Sequence, residues 1–115
     1  MLSVHHWNAY LVIGVCLAAS ASAFLARRRR AGRSTAHLLA LAQTLVVAQV
    51  GIGLLLLSDH RRAADRLHYA YGTFALLCLL SPWLYAPTDP RARLMWFAVA
   101  TLVGAALAIR AYATA

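Results

Sequence analysis

Four long apolar segments alternate with short polar stretches along the chain. They cover roughly residues 5–26, 36–57, 67–85 and 91–112. Each approaches the length of about 20 residues that crosses a hydrocarbon core about 30 Å thick. Because that core offers no water to the peptide groups, each segment should satisfy its own backbone hydrogen bonds by forming a helix. The pattern predicts an all-α fold, an integral membrane four-helix bundle in which residues 1–115 form a single domain with four transmembrane helices.

The composition agrees with a chain that lies mostly within lipid. Of the 115 residues, 63% are hydrophobic and only 12% are charged, about half the charged share of a typical soluble domain. All 11 basic residues are arginines, and they cluster at the segment ends, where they can contact lipid headgroups. The net charge of +8 therefore predicts no nucleic-acid partner. We expect the partners to be the lipid bilayer and either other membrane subunits or further copies of this chain.

The distribution of the arginines also predicts an orientation. Seven arginines lie in or beside the first and third loops, and four lie at the opposite end of the predicted helices. Cytoplasmic loops carry the excess of basic residues in membrane proteins. We therefore expect a multi-pass protein of a bacterial inner (plasma) membrane, with the first and third loops in the cytoplasm and both termini outside.

Two histidines occupy matching positions in the first and third segments. His68 lies one turn inside the third segment, and His6 lies at the equivalent depth in the first. Both segments should begin on the same side of the membrane, so these two imidazoles can ligate one heme iron from opposite faces. An ionisable side chain within a membrane segment indicates a functional site. We predict His6 and His68 as the metal ligands, with His5 as the substitute for His6.

Arginines close to these histidines extend the predicted site. Arg61, Arg62 and Arg66 precede His68, and Arg110 ends the fourth segment on the same side. Guanidinium groups bind carboxylates such as heme propionates well, which gives these four arginines a cofactor-binding role. A second interpretation stays open, in which the histidines bond to water or headgroups at the interface and the arginines belong to a solvated loop.

Other kinds of chemistry find less support in the sequence. The chain has no Glu, and its acidic residues Asp59, Asp65 and Asp89 all lie in loops. A proton-coupled carrier like the small multidrug transporters would need an acid within the membrane, so that function is disfavoured. Cys16 and Cys78 read as packing residues, and without a C-x-x-C motif neither a thiol redox pair nor a covalent c-type heme is indicated. A zinc site would need further ligands that the sequence does not place.

Small residues and one amide accompany the histidines in a definite order. The first segment has His6, Ala9, Gly14 and then the basic run Arg27–Arg30; the second has Gln49 and Gly53; the third has Leu67, His68 and Gly72. This order, over nearly the whole chain, resembles one four-helix half of the heme A synthase family. The resemblance implies a bis-histidine heme scaffold.

The chain departs from that family in two ways. The family has two such halves and carries a Glu three residues before its first histidine, whereas here Ser3 or Leu2 stands at the corresponding position. The resemblance therefore does not carry heme A synthase activity over to this chain.

The residues and the resemblance together predict a small protein that binds heme b near the outer face of the membrane. Two imidazole ligands leave no open position on the iron, which favours electron transfer over oxygen activation. We expect a role in electron transfer or as a heme-bearing subunit of a respiratory or photosynthetic membrane complex, with no catalytic residue and no activity of the chain alone. The alternative is a heme-free accessory subunit that fills an interface in a larger membrane complex.

Overall fold

The computed structural model describes residues 2–26, 33–60 and 65–114 of the chain. The helices are α1 (Leu2–Leu25), α2 (Arg33–Ser58), α3 (Leu67–Leu80), α4 (Pro82–Tyr85) and α5 (Pro90–Ala113). The all-α prediction is confirmed. Helices α1, α2 and α5 are long and apolar enough to cross a membrane.

The third predicted segment is divided rather than continuous. Helix α3 has 14 residues and α4 has 4, so neither reaches the length of a membrane span by itself. The division falls at Ser81, directly before Pro82, because proline has no N–H to donate and its ring crowds the preceding turn. Ser81 keeps helical backbone angles and its carbonyl accepts from the N–H of Leu84 at 3.0 Å, so the two helices follow one another closely.

Helix α5 begins where the sequence provides a cap. The carboxylate of Asp89 accepts a hydrogen bond from the N–H of Ala92 at 3.0 Å, and Pro90 occupies the first turn. A side-chain oxygen at this position satisfies one of the free N–H groups of the first turn, and proline there loses no helical hydrogen bond. These two residues therefore define where the third loop ends and α5 begins.

The helices form an elongated bundle of 47 × 23 × 19 Å. Helix α1 packs between α2 and α5, and α3 packs mainly on α5, whereas α2 and α3 touch more sparsely. The core runs along the middle of the bundle, and its buried members are Val12, Cys16, Ala19, Leu39, Ala42, Val46, Leu79, Phe97 and Ala105. Large apolar side chains such as Leu54, Phe74 and Leu77 face outward, a surface that suits lipid better than water.

Helices α3 and α5 approach each other closely at Gly104. A Cβ atom added to Gly104 would lie 1.8 Å from Leu79 Cδ1 and 3.2 Å from Leu79 Cγ. Leu79 is only 1% exposed, so its side chain has little room to move aside. A small residue at this position permits the close contact, as expected for interfaces between membrane helices.

We expect Gly104→Ala to lower the thermal stability of the bundle in detergent. Overpacking of a filled core commonly costs about 1–3 kcal/mol, and the added methyl group would displace the buried Leu79 side chain. Gly14→Ala is a matched control, because a Cβ added there meets no atom within 4 Å. Thermal unfolding of both variants should show a clear decrease in Tm for Gly104→Ala alone. Equal Tm values would contradict the close contact between α3 and α5.

Candidate functional site

Two imidazoles face each other at the end of the bundle where α1 and α3 begin. The ring centroids of His5 and His68 lie 6.1 Å apart, and the ring planes are inclined by 72°. Two imidazoles that ligate one metal ion from opposite sides, with metal–nitrogen distances of about 2 Å, have ring centroids about 6 Å apart. The observed separation matches that of two rings on one metal ion, and it is also the separation of an ordinary edge-to-face ring contact, about 4.5–7 Å.

The His5 ring is packed against α2 without a firm hydrogen bond. His5 is 9% exposed, and its Nδ1 is buried with no hydrogen-bond partner among the described residues. Its Nε2 lies 3.5 Å from Gln49 Nε2, at the outer limit of a hydrogen bond. Buried polar groups are nearly always paired in folded proteins, and an unpaired one costs about 1–3 kcal/mol. At Nε2 only the long contact with Gln49 is present, so this nitrogen of His5 is open to a ligand.

The His68 ring, by contrast, is held in one orientation. Its Nδ1–H donates to the carbonyl oxygen of Ala111 on α5 at 2.6 Å. Because a carbonyl only accepts, the proton of the neutral ring lies on Nδ1 and the lone pair lies on Nε2. Histidines that ligate metals commonly donate their other ring N–H to a backbone carbonyl in this way. The half-buried His68 thus presents Nε2 as its ligating atom.

His6 occupies a different position from the one that the sequence interpretation gave it. Its side chain is exposed, and its ring contacts the ring of Tyr112 with centroids 6.4 Å apart. Adjacent helical residues point about 100° apart, so His5 and His6 cannot both face His68. The structure brings the predicted substitute, His5, next to His68, and it places His6 beside Tyr112 on the wall of a neighbouring cavity.

The burial pattern of α1 explains this choice. His5 shares its face with buried residues one, two, three and four turns further along the helix, namely Asn8, Val12, Cys16 and Ala19. Residues at this spacing form one stripe of a helix, and the stripe of α1 packs against the rest of the bundle. The sequence therefore contained a signal for which face of α1 is buried, but this signal is weak in a helix that is apolar on almost every side.

A cavity of about 370 Å³ adjoins the two imidazoles. Helices α1, α2, α3 and α5 all contribute to its mainly apolar wall. The wall includes His5, Gln49, Gly53, His68, Gly72 and Tyr112. Its volume falls within the range of about 300–1,000 Å³ that is typical of pockets for small molecules and cofactors. The two glycines add no side chain to the wall, and a Cβ on Gly72 would meet no atom within 4 Å. The cavity thus offers apolar space next to both imidazoles.

The predicted arginines are placed only in part. Arg61 and Arg62 lie outside the described residues. Arg66 directly precedes α3 and is exposed, while the guanidinium carbon of Arg110 lies 5.5 Å from the centroid of the Tyr71 ring. Arg66 and Arg110 are not part of the cavity wall, but both lie at the same end of the bundle as the cavity.

An amide pair beside His5 belongs to the site, and the sequence interpretation missed half of it. The Nδ2 of Asn8 donates to Gln49 Oε1 at 2.9 Å and to the Leu45 carbonyl at 3.2 Å. The Nε2 of Gln49 donates in turn to the His5 carbonyl at 2.9 Å. Gln49 thus points into the bundle and bonds to another helix, as a polar amide in the middle of a membrane segment should. Asn8 follows His5 by three residues, a spacing that places both on one face of α1.

The remaining histidines lie away from this site. His37 is exposed near the start of α2, and His60 follows the end of α2 with a φ of 62°. Among residues 2–26, 33–60 and 65–114, no three His, Cys, Asp or Glu side chains are grouped to hold a metal ion. His5 and His68 therefore form a pair without a third such side chain in the described part of the chain.

The chain was compared with models of protein families, with curated proteins and with solved structures. None of the three comparisons gives a match.

Proposed function

We propose that this chain is a small integral membrane protein that binds one b-type heme between His5 and His68. Its role would be electron transfer, or that of a heme-bearing subunit in a respiratory or photosynthetic membrane complex. The observation that carries the proposal is the pair of facing imidazoles, 6.1 Å apart, beside a cavity of about 370 Å³. The resemblance of the sequence motifs to one half of heme A synthase supports the same cofactor.

The ligand set favours electron transfer over reactions of bound oxygen. The heme would supply one-electron chemistry, and the protein would hold it through the imidazoles of His5 and His68. If His5 and His68 both ligate, no coordination position is open to a substrate. The apolar wall of the cavity would keep water from the iron, and the hydrogen bond from His68 Nδ1 to Ala111 would hold that ligand in place.

The arginines at this end of the bundle support the proposal through charge. Arg66 and Arg110 lie near the ends of α3 and α5 beside the cavity, and Arg61 and Arg62 precede Arg66 in the sequence. Guanidinium groups form strong charge-assisted hydrogen bonds with carboxylates, so they suit the two heme propionates. In this proposal the arginines would bind the propionates at the outer face of a bacterial plasma membrane.

The proposed topology has four spans, formed by α1, α2, the α3–α4 pair and α5. Both termini and the loop between α2 and α3 lie outside, and the arginine-rich first loop lies in the cytoplasm, as the distribution of basic residues favours. The outward-facing apolar side chains would contact lipid, other subunits or further copies of the chain.

Titration of the purified protein with hemin in detergent tests the proposal. We expect saturation at one heme per chain and a spectrum of six-coordinate, low-spin heme in both oxidation states. Hemin uptake that does not saturate, or that equals uptake by empty micelles, would refute the heme site and favour the heme-free accessory subunit.

Substitutions at Gly51 and Gly53 on α2 test how closely α2 packs against the His5 ring. A Cβ on Gly53 would lie 3.3 Å from His5 Cε1, so Gly53→Ala should shift the ring by a few tenths of an ångström. We expect hemin affinity to fall roughly tenfold, equivalent to about 1.4 kcal/mol. Gly51→Ala makes the same change in the same helix, but its Cβ meets no atom within 4 Å, so affinity should stay at the wild-type value. Equal hemin affinities for the two variants would contradict the contact between Gly53 and His5.

A further inference from the structure

The hydrogen bonds around Gln49 fix the orientation of its amide. Its Oε1 accepts from Asn8 Nδ2 at 2.9 Å, and its Nε2 donates to the His5 carbonyl at 2.9 Å. Rotating the amide by 180° would place an NH₂ group against the NH₂ of Asn8 and an oxygen against the His5 carbonyl. Both hydrogen bonds would be lost, so the amino group of Gln49 stays on the side of His5.

This fixed amino group also faces the imidazole of His5. Gln49 Nε2 has two N–H groups, and the His5 carbonyl uses one of them. His5 Nε2 lies 3.5 Å from the same amide nitrogen. An amino group only donates, so it favours a lone pair on His5 Nε2 and the ring proton on Nδ1. Nε2 has a single lone pair, so a metal ion bound there would take the place of this long contact.

We propose that Gln49, held in place by Asn8, is a positioning residue that keeps the lone pair of His5 on Nε2. His68 has the same tautomer for a different reason, because its Nδ1–H donates to the Ala111 carbonyl. Both rings then present the same ring nitrogen to a ligand. The meaning of this arrangement rests on the proposed heme site, but the tautomer itself is a property of the heme-free protein.

The test uses two variants of one residue type on one helix. Gln49→Met removes the amide while keeping a similar length. Gln43→Met is the matched control, because Gln43 also bonds to another helix: its Oε1 accepts from Trp83 Nε1 at 2.9 Å. Gln43 is not part of the cavity wall, so its loss should leave both histidine rings unchanged. Asn8→Leu is a further variant that keeps Gln49 but removes the partner that orients it.

The first measurement is ¹⁵N NMR of the histidine rings in heme-free protein, assigned with the His5→Ala variant. We expect the Nδ1–H tautomer for His5 in the wild type and in Gln43→Met. In Gln49→Met the ring should shift toward the mixture of tautomers found for a free imidazole, and Asn8→Leu should shift it in the same direction. If Gln49→Met does not fold, Asn8→Leu decides the question alone. Unchanged His5 resonances in the folded variants, or equal changes in Gln43→Met, would overturn the proposal.

The second measurement is hemin affinity of the same proteins, which keeps the two proposals separate. We expect Gln49→Met to bind hemin roughly 10–100-fold more weakly than wild type, the usual effect of removing a residue that orients a metal ligand. Gln43→Met should bind as the wild type does. Full wild-type affinity in Gln49→Met would overturn the role toward heme. If the wild type itself binds no hemin, the proposed function fails, while the NMR comparison still decides the role of Gln49.

Discussion

His68→Ala should abolish the low-spin heme spectrum and leave at most weak, high-spin binding of hemin. Helix α3 contains no second histidine, so no neighbouring residue of that helix replaces the lost ligand. The loss of affinity should exceed the roughly 10–100-fold effect of removing a residue that only orients a ligand. Spectra of oxidised and reduced protein at equal hemin loading would measure the change. This is the largest effect that we expect of any single substitution.

Two controls make the His68 result specific. Free imidazole added to His68→Ala should enter the space left by the ring and restore the low-spin spectrum. His37→Ala removes an exposed histidine from the other end of the bundle and should leave the spectrum unchanged. A normal low-spin spectrum in His68→Ala without added imidazole would remove His68 from the ligand set.

His5→Ala should have nearly as large an effect, and His6→Ala should have little. His5 is buried and faces His68, whereas His6 is exposed and contacts Tyr112. For His6 to replace His5, the first turn of α1 would have to rotate by about 100° and break the bond from Gln49 to the His5 carbonyl. Hemin titration and difference spectra of both variants would show the order. Loss of low-spin heme in His6→Ala, with His5→Ala unaffected, would reverse the assignment.

The helices of this chain were predictable because their signals are local. Apolar length predicts a membrane helix, and the approximate limits of α1, α2 and α5 follow from it. Asp89 with Pro90 marks the start of α5, and Pro82 marks the break after α3, since both act on the backbone beside them. These features need no knowledge of how the helices pack.

The assignment between His5 and His6 was less accessible, because it depends on the rotation of α1 about its axis. Rotation follows from which face is buried, and a helix with apolar residues on every side gives little information about that face. In α1 the polar Asn8 carries most of this information, since a buried amide needs a partner such as Gln49. Gln49 was named only as part of the family resemblance, and nothing in the sequence connected it to Asn8.

The contacts between helices could not be predicted from local features of the sequence. The bond from Gln49 to His5 joins residues 44 positions apart, and that from His68 to Ala111 joins residues 43 positions apart. Such pairs depend on the relative depth of the helices, which neither hydropathy nor capping determines. The propionate role of Arg61 and Arg62 stays a prediction, because these residues lie outside the described part of the chain.

The central claim is that His5 and His68 ligate one heme iron, and electron paramagnetic resonance of the ferric, hemin-loaded protein tests it most directly. The two imidazole planes are inclined by 72°, so each ring overlaps a different d orbital of the iron. These two d orbitals then have nearly equal energies. We therefore expect a low-spin signal dominated by one large g value, which is lost in both His5→Ala and His68→Ala. A high-spin signal in the wild type, or a low-spin signal that survives in both variants, would contradict the account.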